Sequence, residues 1–487
     1  MQMRIDENWK MSEVDGAIIG ISQSFDLNLV PERLREVLKQ LKEKELFQGK
    51  IDESYSMTWM NDTEWIELIF IGLGDSERFT RNKFRAEIGD AFRALKKKKI
   101  KTLGLDMESL KEIYDEPNFV SRLLSETLVM SDYAFDDYKS DKKNHELKTV
   151  LLKGLPYDQD ALDEGEILGK SNVFARSLTN MPANALTPTK LANMTLEYGK
   201  TCGFDVEIKN LNEITALNME AFLSVAKGST EPPKLIVMRY NGNEKSDERL
   251  GLVGKGLTYD SGGLSIKPTA GMVNMKDDMG GASAVIGAMG AIAKMGIKTN
   301  VTAVVAACEN MISGHSYKPG DIISSMGGKS IFIGNTDAEG RLTLVDAVTY
   351  IQNHENVDMI LDIATLTGAA IHCLGVDASP ILSNDDTFYS IVENAFKKAD
   401  ENQWRMPIFD EYKALIKHEQ ADLTNSAGSP GTITAGMFIE AFVKDIPWVH
   451  IDIAGTAFRE KQEGIYSKGG TGAGVRPLYF LAKKLSK

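Results

Sequence analysis

The sequence predicts an α/β protein in two parts. A smaller N-terminal α/β domain precedes a larger C-terminal α/β domain with a central mixed sheet flanked by helices. Three observations predict this. Short apolar runs alternate with segments of helical spacing along most of the chain. Many of those runs are continuously apolar, as in strands covered on both faces. At 487 residues the chain is also too long for one ordinary core.

Residues 1–165 form the N-terminal α/β domain in this reading. Val14–Ser22 is a short apolar strand, and Glu32–Lys44 is charged with a helical pattern. Trp65–Ile71 reads as a buried strand running into Gly72-Leu73-Gly74. Asn82–Lys98 places Phe84, Ile88, Phe92 and Leu95 at helical spacing, and Ile100–Leu105 returns to strand. Leu110–Val129 reads as two further helices, and the polar stretch Asp137–His145 as a surface loop or hairpin. Lys96–Lys99 is a basic run. Its place at a helix end favours a solvated cap at the negative pole of the dipole over a nucleic-acid contact.

Residues 166–190 are a linking helix and connection. The helical pattern Asp158–Leu178 has acids early and Lys170 and Arg176 later, and Met181–Pro188 breaks it. Residues 191–487 form the larger domain. Its strand candidates are Asp205–Ile208, Lys234–Arg239, Leu250–Val253, Val301–Ala307, Met359–Ile363 and Trp448–Ile453. Helices alternate with them, notably Gly281–Met295 and Leu342–Asn353. The sequence has no internal repeat and no low-complexity tail.

Composition narrows the function. The chain is 43% hydrophobic and 26% charged, ordinary for a globular protein, and its net charge of −13 argues against general affinity for nucleic acid or anionic membrane. Met1–Lys10 carries charges without an apolar core, so no signal peptide is expected, and no apolar run reaches membrane-spanning length. A reduced, cytoplasmic protein is the expectation. Cys202, Cys308 and Cys373 are too dispersed for a zinc knuckle or a disulfide framework. Cys308, in the apolar run Val301–Cys308, reads as a buried thiol.

Two stretches carry chemistry. One is Lys255–Lys267, with Asp260 between the two lysines. The other is Asn335–Leu342, in which Asp337, Glu339 and Arg341 alternate. In an extended segment those three face one way, which suits a metal site with an anion clamp or a local salt bridge. Asp277 and Asp278 precede a further helix. All these groups fall at strand-to-helix junctions, where open α/β sheets build their sites. Several carboxylates ionised in one pocket repel, and divalent cations relieve the repulsion. An oxygen-rich set suits Mg²⁺, Mn²⁺ or Zn²⁺, and no histidine lies in these segments. The plainer alternative for each acid is capping or ion pairing. A lysine beside them either stabilises developing negative charge or, deprotonated, ligates a metal. The planar fork of Arg341 suits an anion.

With those residues in view, Asn335–Leu342 resembles the signature of the leucyl aminopeptidase family, the cytosolic di-metal aminopeptidases. Val253–Pro268 looks like that family's first metal loop and Met275–Ala282 its second. Asp362–Ala369 and Asp452–Ala457 resemble its substrate-site strands, and Asn180–Pro188 the opening of its catalytic domain. The resemblance runs from about 170 to 487 in order, and earlier residues match only in length and pattern. It implies that one metal takes Lys255 as neutral amine, Asp260, Asp278 and Glu339. The other takes Asp260, Asp337 and Glu339. Asp277 sits where the motif varies and is not made a ligand. Lys267 would bind the scissile carbonyl oxygen, and Arg341 a bicarbonate acting as general base.

The resemblance further implies a metal-dependent aminopeptidase that removes N-terminal leucine and other apolar residues from peptides through a hydroxide bridging two Mn²⁺, Zn²⁺ or Mg²⁺ ions per subunit. Met275, Thr365, Gly368, Ala454 and Ala457 would line the pocket for the first side chain, and Leu366 would offer its main-chain carbonyl. Core packing is the plain alternative for these. A homohexamer is implied as well. A cysteinyl-glycine dipeptidase on the same fold and a non-catalytic DNA-binding or regulatory protein are the alternatives; the acidic charge counts against the second.

Overall fold

A computed structural model describes residues 1–61, 64–113, 116–141 and 147–486; the end of the Asp137–His145 stretch lies outside them. By contact the chain divides into two compact units, 1–170 with 461–467, and 171–460 with 468–487. Both are α/β units, and the second is the larger. No helix among the described residues is long and apolar enough to cross a membrane.

The first unit holds a six-stranded sheet in the order Gln2–Ile5, Thr149–Lys153, Thr102–Asp106, Gly16–Ser22, Glu64–Gly74, Ser54–Asn61. All neighbours run parallel except the last pair, a hairpin. The amphipathic patterns bury as the spacing requires. The helix Glu32–Glu43 buries Leu34, Leu38 and Leu41. The helix Arg81–Lys96 starts on the Thr80 hydroxyl, which accepts the Lys83 N–H, and buries Phe84, Ile88, Phe92 and Leu95. Of the two helices expected over Leu110–Val129, the first is a short 3₁₀ turn, Glu108–Glu112, and the second is Pro117–Asp132. Lys96 departs from the expected solvated cap. It is buried, and its Nζ donates to the Asp132 carbonyl at 2.7 Å, while Lys97–Lys99 are exposed.

The second unit carries an eight-stranded mixed sheet. Its order is Asn402–Arg405, Ala378–Ser383, Trp448–Asp452, Met359–Ala364, Arg249–Asp260, Asn300–Asn310, Lys234–Asn241, Asp205–Lys209. The four central strands run parallel, so their carboxyl ends share one edge. Helix Gly280–Lys294 covers one face and Gly340–His354 the other. The first approaches closely because glycines meet: a Cβ on Gly281 would lie 2.1 Å from the Ile363 carbonyl oxygen, and one on Gly254 would lie 2.7 Å from the Gly281 carbonyl. The predicted helix over Asp158–Leu178 is Gln159–Asn180. The next helix, Pro188–Cys202, opens on the Thr187 cap and ends at Gly203 in the left-handed region.

Candidate active site

The central strand runs further than its apolar core suggests. It spans Arg249–Asp260, so Lys255 and Asp260 lie in it rather than after it. In a regular strand, residues five apart face opposite sides. Here the pairing with Asn300–Asn310 slips, Leu257 opposite Cys308 but Tyr259 opposite Glu309, which leaves Thr258 as an extra residue. That bulge flips the parity and turns Lys255 and Asp260 to the same side.

Around Lys255 three segments meet. Its Nζ donates to Asp278 Oδ1 at 2.6 Å and to the Thr365 carbonyl at 2.8 Å, and lies 2.9 Å from Glu339 Oε1. Thr365 Oγ1 also donates to Asp278 Oδ1 at 2.9 Å. Lys267 Nζ lies 2.9 Å from Asp260 Oδ2 and 2.6 Å from Asp337 Oδ1. Asp278 follows the 3₁₀ turn Met275–Asp277 and leads into the helix Gly280–Lys294.

The segment Asn335–Leu342 is not the extended stretch the alternation suggested. Thr336 and Asp337 form a turn, Glu339 caps the helix Gly340–His354, and Arg341 sits in its first turn. Asp337, Glu339 and Arg341 still reach one cavity, because a turn followed by a helix start brings them round.

Burial pushes the carboxyls of Asp260, Asp278 and Asp337 above the usual range. It pulls the ammonium groups of Lys255 and Lys267 down, but the carboxylates around them outweigh it, and both end above the ordinary lysine value. Burial lowers Arg341 to about 10 against the pull of Glu339 and Asp452.

The residues suit divalent cations. One ligand atom from each of Asp260, Asp337 and Glu339 lies within 4.8 Å of the others. Asp278 Oδ2 and Glu339 Oε2 are buried with no hydrogen-bond partner among the described residues, so two carboxylate oxygens of the cluster await a donor or a cation. Arg341 Nε is likewise buried and unbonded among the described residues, which suits an anion.

These side chains line a cavity of about 670 Å³, in the range of small-molecule sites. Lys255, Asp260, Lys267, Asp278, Asp337, Glu339 and Arg341 all line it, as do Met275, Thr365, Leu366, Gly368 and Ala454. Ala457 differs. It is buried, and its Cβ packs against Gly280, 3.3 Å from where a Cβ there would lie. Asp277, not made a ligand, lies on the wall, its carboxyl pushed to about 7 by burial.

Sequence reasoning missed the residues that hold the ligand loops. Asn310 Nδ2 donates to Asp260 Oδ1 at 2.8 Å and to the Thr336 carbonyl at 3.0 Å. Thr336 Oγ1 donates to the Gly262 carbonyl at 2.7 Å, and Tyr317 OH to the Thr336 carbonyl at 2.7 Å. Asp452 accepts the N–H groups of Leu366 and Ala454 at 3.2 and 3.1 Å, joining two lining segments. A signal existed for Asn310, a polar residue closing an apolar strand.

The chain is similar to known proteins over most of its length. Residues 173–479 match the cytosol aminopeptidase family, catalytic domain, and residues 22–142 match the N-terminal domain of the same family. A probable cytosol aminopeptidase of Clostridium perfringens is 47% identical, with 98% of each chain covered. One of Treponema denticola is 43% identical, over 92% of this chain and 94% of its own. Among solved structures, a mutant of tomato leucine aminopeptidase aligns with a TM-score of 0.90 at 29% identity, covering 99% of this chain and 96% of its own. The bottromycin maturation enzyme BotP in complex with Mn aligns at 0.87 and 30%, covering 97% and 100%.

Proposed function

Because the chain belongs to the cytosol aminopeptidase family and is a metal-dependent aminopeptidase, we propose that it removes leucine and other apolar residues from the amino end of peptides at the cavity described above. The observation that carries this reading is the convergence of Asp260, Asp278, Asp337 and Glu339 with Lys255 and Lys267 on one cavity whose lining contains no histidine among the described residues. Asp260, Asp278, Glu339 and Lys255 would hold one divalent ion, and Asp260, Asp337 and Glu339 a second. Bound there, the two ions would supply Lewis acidity to water and to the peptide carbonyl.

The chain's own groups do the rest. Lys255 serves as a ligand only by giving up its proton, and the carboxylates that now hold its ammonium would then face the cation instead. Lys267, on a flexible stem between Asp260 and Asp337, would turn its ammonium to the scissile carbonyl oxygen and stabilise the charge that develops on it. Arg341 would hold a bicarbonate, which offers the proton acceptor that the lining side chains lack in the form of histidine. Met275, Thr365, Gly368 and Ala454 are small or apolar and would receive the first side chain, while Leu366 would accept from the substrate backbone. A pocket of this kind discriminates weakly between apolar residues of similar size. A cytoplasmic homohexamer is part of the same proposal.

The test is chelation followed by metal return. Activity on leucyl peptides should vanish with a chelator and recover with Mn²⁺ or Zn²⁺. Activity that survives chelation sinks the reading. A profile confined to cysteinyl-glycine, with no leucyl cleavage, replaces it with the dipeptidase.

A further inference from the structure

One buried side chain outside the cluster holds the Asp337 loop from behind. Asn425 follows the short strand Leu423–Thr424, which pairs in parallel with Ile331–Phe332. The pairing continues one step further, with the Asn425 N–H donating to the Phe332 carbonyl at 3.0 Å, so the backbone delivers this amide directly beneath the turn. Asn425 is fully buried. Its Oδ1 accepts the N–H groups of Gly334 and Asn335 at 2.9 and 3.3 Å. Its Nδ2 donates to the carbonyls of Asn335 and Ala338 at 2.7 and 3.3 Å. One amide thus satisfies four main-chain groups on both sides of Asp337. No strand among the described residues pairs that turn; Asn310 and Tyr317 hold the Thr336 carbonyl, and Asn425 holds the main-chain groups of Gly334, Asn335 and Ala338 around it. Only a primary amide offers an acceptor and a two-hydrogen donor at these positions. An aspartate would set a carboxylate oxygen against two carbonyls.

The two amides divide the work differently. Asn310 bonds Asp260 itself, which both ions would share, and also the Thr336 carbonyl. Asn425 makes no bond to Asp260, Asp278, Glu339 or Lys255; its bonds end at Ala338, in the segment that carries Asp337, while Glu339 beyond it sits at the start of the helix Gly340–His354. We infer that Asn425 is the positioning residue that sets the affinity of one of the two metal ions, the one that Asp337 would hold, and leaves the other nearly untouched. This rests on the two-ion reading above.

The test is titration of the metal-free full-length chain with Mn²⁺ by calorimetry. For Asn425→Ala, one equivalent should bind about 10- to 100-fold more weakly and the other as in the parent chain, the usual cost of losing a partner behind a ligand. Raising Mn²⁺ should then restore turnover. Asn310→Ala, acting through the shared Asp260, should weaken both equivalents. If Asn425→Ala binds both ions like the parent, or weakens both alike, the assignment is overturned. Asn425→Ser, smaller but still able to accept one N–H, should show the same split. If both variants unfold, the side chain is structural and the inference fails. A parent chain that binds fewer than two ions overturns the two-ion reading and this assignment with it.

Discussion

Gly340→Ala isolates geometry from chemistry, because it removes no functional group. A Cβ on Gly340 would lie 2.3 Å from Cε of Lys255, 2.6 Å from its Nζ and 2.8 Å from its Cδ. Ordinary contacts of this kind need about 3.5–4 Å, so the lysine tip must retreat by roughly 1 Å or more. It has little room to do so. Its Nζ is held by Asp278 and the Thr365 carbonyl and lies against Glu339, and the whole side chain is buried. Overpacking of this size costs about 1–3 kcal/mol, and alanine returns up to about 1 kcal/mol as a better helix residue than glycine. The fold should survive with a modest loss of stability. Catalysis should not, since a misplacement of about 1 Å in such a site costs on the order of 100-fold. Circular dichroism, thermal melting, metal content and turnover of a leucyl peptide check this together. The expected result is a folded variant with depleted metal and about 100-fold lower kcat/KM. Parental activity and metal content in Gly340→Ala would refute the placement of Lys255.

Three further outcomes follow from other sites. Lys267→Ala should lower kcat by about 100- to 1000-fold while metal content and melting temperature change little, read by steady-state kinetics and elemental analysis. Asp346 is buried, its two oxygens accept the N–H groups of Phe222 and Met326 at 2.9 Å each, and burial raises its pKa to about 7. Asp346→Asn turns an N–H₂ toward one of those donors and should cost about 1–3 kcal/mol. Because the folded pKa lies above the unfolded value of about 3.9, the contribution of Asp346 is fully present below that value and is lost as pH rises toward 7. The deficit of the variant should therefore be largest near pH 4 and shrink as pH rises to about 7 in thermal melts. Cys308 and Cys202 are buried, with their thiols pushed up by burial, while Cys373 is exposed. A thiol reagent should titrate one cysteine in the native protein and three after unfolding; rapid loss of all three native thiols would contradict the packing.

Strands with continuous apolar cores were legible in the sequence. Val301–Ala307 and Met359–Ile363 needed only a few residues more at their ends. Others left weaker traces. Ser54–Asn61 alternates Ser, Ser and Thr outward with Tyr55, Met57 and Trp59 half-buried, a period-2 signal that reads easily once it is known to be an edge strand. Ala378–Ser383 and Asn402–Arg405 close the other sheet's edge with too few apolar residues to stand out. In the site, the acidic and basic residues were legible because their chemistry is in the side chain. The amides behind them were not, because Asn310 and Asn425 matter only for which backbone they meet, and that is set by strands paired across the fold.

At Asn335–Leu342 the side chains reach one cavity by a different backbone path from the extended one their alternation suggests. Asp337, Glu339 and Arg341 alternate in sequence but leave a turn and enter a helix. Where a strand does carry ligands, at Lys255 and Asp260, alternation would have set them on opposite faces. The extra residue at Thr258 reverses that. Its position also puts Asp260 opposite Asn310, whose amide then fixes the carboxylate from the neighbouring strand. With Thr258 deleted, Asp260 would lie four residues from Lys255 in a regular ladder, on the same face and still opposite Asn310, so the bulge is what lets the five-residue spacing of this chain reach that arrangement. The bulge, invisible to composition and motif alike, is therefore as much a part of the cluster as any of its carboxylates.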